Sequence, residues 1–175
     1  MTAVIESCPD QISAAHRAQY TELGYVAFQN VLSPEEVEAA RVALREVTHS
    51  MMRQLETGQA SLQQAPAGAT KNYAGPRVVT ETGCAIHFES GVDPRALTPE
   101  EAELNYRKLH DYDQQHPVFQ NLVEHTKIRG FLGVLIGQEM VLKATMALSK
   151  PPFIGSEKPW HQDNAYFNWL PLDMV

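Results

Sequence analysis

The residues most suited to a chemical function lie near the end of the 175-residue sequence, in the run WHQDNAYF at residues 160–167. Aromatic and polar residues in this run indicate a strand, and alternate residues of a strand point to the same face. His161 and Asp163 are therefore predicted to lie side by side. An imidazole and a carboxylate held together are two of the three ligands of a 2-His-1-carboxylate iron(II) site. So short a pattern also arises by chance, and a hydrogen-bonded His–Asp pair at a strand end is the alternative interpretation.

Composition limits the class of protein. Fourteen Lys and Arg against 21 Asp and Glu give a formal net charge of −7, without a basic run, which argues against nucleic-acid binding. The apolar stretches are too short to cross a bilayer and the first residues lack a secretory pattern, so no membrane association is expected. Cys8 and Cys84 provide no disulfide framework. We expect a single cytoplasmic domain over residues 1–175 that acts on a small molecule, in an oligomeric state that the sequence leaves open.

Two predicted helix starts share the same capping-box pattern. After a predicted strand at residues 24–31, Ser33 can cap a helix while Glu36 reaches back, and apolar residues at helical spacing then predict a buried face. Thr98 and Glu101 repeat the arrangement and predict a helix that continues to about His110.

Other segments have weaker signals. Small and polar residues at 57–72 predict an exposed loop, and residues 77–88 predict two short strands around a turn. Pro117 begins a short helical pattern, and a more apolar one follows over residues 126–136.

The periodicity changes near residue 139 from helical to alternating. All even positions from Met140 to Leu148 are apolar, which predicts a strand with one well-buried face. The predicted fold class is therefore α+β, with a helical region over about residues 1–138 followed by a sheet over about 139–175.

Three separated segments carry a resemblance to a known family. They are YTELGYVAFQNVLS at 20–33, RKLH at 107–110 with HPVF at 116–119, and MALSKPP at 146–152 with PWHQDNAYF at 159–167. In this order they resemble the phytanoyl-CoA dioxygenase family of iron(II)- and 2-oxoglutarate-dependent oxygenases. The resemblance implies that the predicted sheet is the start of a double-stranded β-helix (jelly roll, cupin-like).

The resemblance also implies roles for individual residues. The implied iron ligands are His161 and Asp163, the residues implied to bind the co-substrate are Lys108, Met146 and Gln162, and the candidate pocket walls are Trp160 and Tyr166. The implied cofactors are iron(II), 2-oxoglutarate and O2, with ascorbate as a supporting reductant. A one-residue shift would place Arg107 instead of Lys108 at the co-substrate. A solvated helix charge is the alternative for Lys108, and core packing is the alternative for Met146. Four other histidines, His87, His110, His116 and His125, lack a partner at metal-ligand spacing and are expected to be surface or hydrogen-bonded residues.

The sequence departs from the family pattern after Asp163. In the family a second metal-binding His and a co-substrate-binding Arg follow, whereas residues 164–175 contain neither. We therefore expect the N-terminal, truncated part of an enzyme that hydroxylates a small organic or acyl substrate, with weak iron binding and no efficient turnover by this chain alone. A non-catalytic remnant that binds a ligand or partner, and a zinc hydrolase of jelly-roll fold, are the alternatives.

Overall fold

The structure is a computed structural model that describes residues 5–65 and 75–161. Its fold is α+β, as predicted, with helices and a five-stranded antiparallel sheet. The helices are α1 (Ala14–Leu23), α2 (Pro34–Glu56), α3 (Pro99–Glu103), α4 (Pro117–Val123) and α5 (Thr126–Leu135), and short 3-10 turns occur at Pro94–Ala96 and Asp113–Gln115. The strands are β1 (Glu6–Ser7), β2 (Phe28–Gln29), β3 (Ala60–Gln63), β4 (Arg77–Thr80), β5 (Ala85–Phe88), β6 (Tyr106–His110) and β7 (Met146–Leu148).

The chain divides into two compact units. The described residues of Met1–Val47 and Tyr112–Thr145 form the first, and those of Thr48–Asp111 and Met146–Val175 form the second. A single domain over residues 1–175 stays a prediction. Within the described residues, no helix combines the length and the apolar character needed to span a membrane.

Side-chain caps hold the helices of the first unit. At the start of α2 the Ser33 amide donates to Glu36 Oε2 (2.7 Å) and the Glu36 amide donates to Ser33 Oγ (3.2 Å), so the predicted capping box is confirmed. The Nδ1 atoms of His116 and His125 accept from first-turn amides of α4 and α5. Their Nε2 atoms lie 3.1 Å from Glu46 and 3.3 Å from Glu36, respectively. Both histidines are therefore hydrogen-bonded, as expected.

The strand predicted at residues 24–31 is shorter in the structure. Only Phe28–Gln29 forms β2, which pairs in parallel with β1. The Phe28 ring packs edge-on against Phe131 of α5, with ring centroids 5.6 Å apart, and against His16 of α1 at 5.2 Å. This aromatic cluster, rather than an extended ladder, fixes the segment.

The second unit contains the sheet, whose strand order is β3-β4-β5-β6-β7. One face is the core, where Val78, Ile86 and Leu109 are fully buried on three adjacent strands. Met51 of α2 is also buried, and its Sδ lies 3.4 Å from the Sγ of Cys84. Burial of each large apolar side chain contributes about 1.5–3 kcal/mol, so this face provides much of the stability of the unit.

Three sequence predictions about the sheet are wrong. It does not begin near residue 139, because four of its five strands lie between Ala60 and His110. Residues 60–63 of the predicted loop form β3, and the helix predicted to reach His110 ends at Glu103. In both segments, backbone pairing with neighbouring strands outweighs the local sequence preference for loop or helix. The strand β3 pairs with β4, and β6 pairs with β5 and with β7.

The buried face predicted for residues 140–148 is also wrong. The strand β7 covers only Met146–Leu148, and its even positions are exposed, with Met146 at 47% and Leu148 at 65%. Ala147, which pairs with Leu109, faces the core instead. A period of two predicts which residues share a face, but it does not predict which face the rest of the chain covers.

Candidate functional site

Two of the residues assigned to the co-substrate lie together on the open face of the sheet, which is the face opposite the core. Lys108 of β6 pairs directly with Leu148 of β7, and His110 pairs with Met146. Because residues two apart on a strand share a face, the side chains of Lys108 and Met146 are diagonal neighbours. The exposure of Met146 contradicts the core-packing alternative, and the position of Lys108 on a strand contradicts the solvated-helix alternative.

The neighbouring Arg107 lies at an irregularity in the β5–β6 pairing, where Phe88 pairs with Tyr106 and His87 pairs with Lys108. Its side chain is 14% exposed, and its NH1 atom lies 3.9 Å from Oε2 of the buried Glu89. The Arg107 guanidinium therefore has a carboxylate beside it, whereas the strand register places Lys108 on the same face as Met146.

Lys108 lies in a desolvated and positively charged environment. Burial lowers the pKa of its ammonium group, and the charges of Lys158, Arg107 and Arg77 lower it further, while Asp111 opposes them. The influence of Lys158 means that the segment leading to His161 passes within electrostatic range of Lys108. An anion placed here gains a half-buried cation that water screens weakly.

A buried carboxylate anchors the segment that leads to His161. Glu89 is 4% exposed, and its Oε1 accepts from the Ser156 amide (2.9 Å) and from Ser156 Oγ (3.1 Å). Its other oxygen faces Arg107. Charge-assisted hydrogen bonds of this kind hold a loop in one position. Glu89 is not predicted as a site residue from the sequence, because nothing near it in the sequence indicates its partners 18 and 67 residues away.

His161 has the ring orientation that suits a metal ligand. Its Nδ1 lies 2.8 Å from the Pro159 carbonyl oxygen, and because a carbonyl only accepts, Nδ1 carries the proton. Nε2 then carries the lone pair, as in histidines that ligate metals. The donor type therefore fits iron(II), although the described residues contain no group of three His, Cys, Asp or Glu placed to hold an ion.

The other predicted site residues have different outcomes. Trp160 is fully exposed, so its role as a pocket wall stays a prediction. Asp163, Gln162 and Tyr166 lie outside the described residues, and their roles also stay predictions.

His87 and Arg77 were not assigned to a site by the sequence analysis, yet both share the open face with Lys108. Arg77 of β4 pairs with His87 of β5, which pairs with Lys108 of β6. The predicted hairpin at residues 77–88 already indicated that these two residues are neighbours, since its turn sets Arg77 opposite His87.

The environment of His87 predicts an acid-sensitive contribution to stability. Burial lowers its pKa from 6.5 to about 4, and the charges of Lys108, Arg77, His110 and Arg107 add to the effect. Between these two pKa values the unfolded chain binds more protons than the folded one, so the stabilisation is full above about pH 6.5 and is lost as the pH falls towards 4.

We expect the free energy of unfolding to fall by about 1 kcal/mol more in the parent than in His87→Gln between about pH 7 and pH 5, after allowance for solvent screening. Urea unfolding of both proteins at the two pH values measures the difference. Equal falls in the two proteins would contradict the assignment.

Comparison with known proteins now identifies the family of this α+β chain. The family described as phytanoyl-CoA dioxygenase (PhyH) matches residues 20–175, so the chain belongs to this family and the resemblance is confirmed. A curated relative, phytanoyl-CoA dioxygenase domain-containing protein 1 of Danio rerio, is 28% identical over 163 residues, which cover 90% of this chain and 55% of the relative. The chain thus spans about half the length of this curated relative. No solved structure matches the chain.

Proposed function

We propose that this chain provides iron ligands and co-substrate-binding residues to an iron(II)- and 2-oxoglutarate-dependent oxygenase that hydroxylates a small organic or acyl substrate. The observation that carries the proposal is the juxtaposition of Lys108 and Met146 on one face of adjacent strands. The family resemblance assigns both residues to the same co-substrate. In such an oxygenase, the five-stranded sheet would be one layer of a jelly roll.

The chemistry of this face suits 2-oxoglutarate. Its carboxylates require a cationic partner, and the half-buried Lys108 ammonium group can form a charge-assisted hydrogen bond with one of them. Met146 adds an apolar, adaptable contact beside that cation, suited to the methylene groups of the co-substrate.

The metal would be held by His161 through Nε2 and, by resemblance, by Asp163. When bound, iron(II) and 2-oxoglutarate supply the oxidising chemistry with O2. The protein groups orient the ligands: the Pro159 carbonyl fixes the His161 tautomer, and the Glu89–Ser156 contacts fix the preceding segment.

Metal binding by the 175-residue chain tests the assignment of His161. We expect Mn(II), a paramagnetic substitute for iron(II), to broaden the imidazole NMR signals of His161 at low metal concentration, and His161→Ala to lose at least about tenfold in metal affinity. The matched control is His116→Asn, which removes an imidazole but keeps a side chain able to cap α4. Equal metal affinity in His161→Ala and the control would contradict the assignment.

A second measurement tests the reaction itself. We expect succinate to form from 2-oxoglutarate, with iron and ascorbate, in a protein that carries this sequence together with the distal His and Arg of the family pattern, and little turnover by this chain. Activity that is independent of O2 and 2-oxoglutarate would instead indicate a hydrolase.

A further inference from the structure

A row of three basic side chains crosses the open face of the sheet. Arg77, His87 and Lys108 are directly opposite one another on β4, β5 and β6, so each is the nearest cross-strand neighbour of the next. The row continues to Gln63 on β3 and to Leu148 on β7.

Two cations, Arg77 and Lys108, flank the His87 imidazole from the neighbouring strands, and their charges oppose its protonation. The charged groups that act on His87 in the described part of the chain are all basic: Lys108, Arg77, His110 and Arg107. Two carboxylates lie near the row: Glu89 contacts Arg107 and Ser156, and Asp111 lies 2.9 Å from His110 and also acts on Lys108. The Nε atom of Arg77 donates to Gln63 Oε1 (2.9 Å), a neutral partner. The centre of the row therefore favours an added negative charge.

We propose that Arg77 and His87, next to Lys108, bind an oxyanion, and that this oxyanion is a carboxylate or phosphate group of the primary substrate. The assignment to a substrate rests on the proposed oxygenase function, whereas anion binding by the row does not.

The spacing of the strands separates the proposed oxyanion, beside Arg77 and His87, from the 2-oxoglutarate beside Lys108. The backbones of β4 and β6 are two strand spacings apart, about 10 Å, so Arg77 and Lys108 can serve different anionic groups. Arg77 offers a planar fork that matches a carboxylate or phosphate, and His87 offers a ring N–H between the two cations. Lys108, beside Met146, remains the partner of 2-oxoglutarate.

An NMR titration of the His87 imidazole in the full 175-residue chain tests the proposal. Inorganic phosphate is the probe for the proposed oxyanion site at Arg77 and His87, and 2-oxoglutarate is the probe for the co-substrate site at Lys108. We expect saturating phosphate to raise the pKa of His87 by about one unit, since a bound anion favours the imidazolium form. We expect Arg77→Gln to weaken phosphate binding by about tenfold and to leave 2-oxoglutarate binding within about twofold. We expect Lys108→Gln to weaken 2-oxoglutarate binding by about tenfold and to weaken phosphate binding less than Arg77→Gln does.

The matched control is Arg53→Gln, which makes the same charge change at an exposed position in the last turn of α2. It should leave the binding of both probes unchanged. The proposal is overturned if neither probe changes the His87 titration. It is also overturned if Arg77→Gln and Lys108→Gln weaken both probes equally, since the row would then be one site for the co-substrate. If phosphate binds at His87 but Mn(II) does not reach His161, the anion site stands and the oxygenase proposal fails.

Discussion

Replacing Glu89 with alanine is expected to lower the free energy of unfolding by about 3 kcal/mol, the largest effect that we predict for a polar side chain of this protein. The substitution removes a buried carboxylate that faces Arg107 and accepts two hydrogen bonds from Ser156. Loss of one partner from a buried charged network leaves the other desolvated groups poorly compensated. Urea unfolding measures the loss.

The same variant should also release the segment that leads to His161. We expect the Ser156 amide to exchange with solvent faster in Glu89→Ala, and Mn(II) affinity at His161 to fall. The control is Glu81→Ala, an exposed carboxylate in the turn between β4 and β5, which should change stability by less than about 0.5 kcal/mol. If the two variants unfold alike, Glu89 is not an anchor.

Replacing Gly75 with alanine is expected to cost about 3 kcal/mol. A Cβ atom at this position would overlap the carbonyl oxygen of Phe88 and would lie 2.8 Å from the Phe88 carbonyl carbon and 2.9 Å from that of Glu89. These are backbone atoms next to the buried carboxylate, so the β5 strand end itself must move, and relief by a side-chain rotation is impossible.

Gly130→Ala provides the contrasting control. This glycine lies within α5, at an exposed position where an added Cβ meets nothing within 4 Å. Alanine there should stabilise the protein by about 0.5–1 kcal/mol, because it reduces the entropy of the unfolded chain. Thermal unfolding of both variants compares the two effects, and a similar small change in both would show that the backbone at Phe88 is not tightly packed against Gly75.

Local chemistry in the sequence determined the helix starts and the hairpin. The capping boxes at Ser33 and Thr98 form as predicted, because their partners lie only three residues away. The strands at residues 77–80 and 85–88 also form, since a short turn brings them together. The motifs around Lys108 and His161 indicated the family correctly, because a family pattern consists of residue types in a fixed order, which the sequence alone contains.

Tertiary structure alone decided which segments join the sheet and which face of each strand is open. Residues 60–63 and 106–110 become strands only because they pair with partners distant in sequence. Such pairing also places Lys108 beside Met146, and it extends the Arg77–His87 pair to Lys108. The burial of Glu89 against Ser156, 67 residues away, has the same origin. Contacts across long separations depend on the whole chain, so no local pattern specifies them.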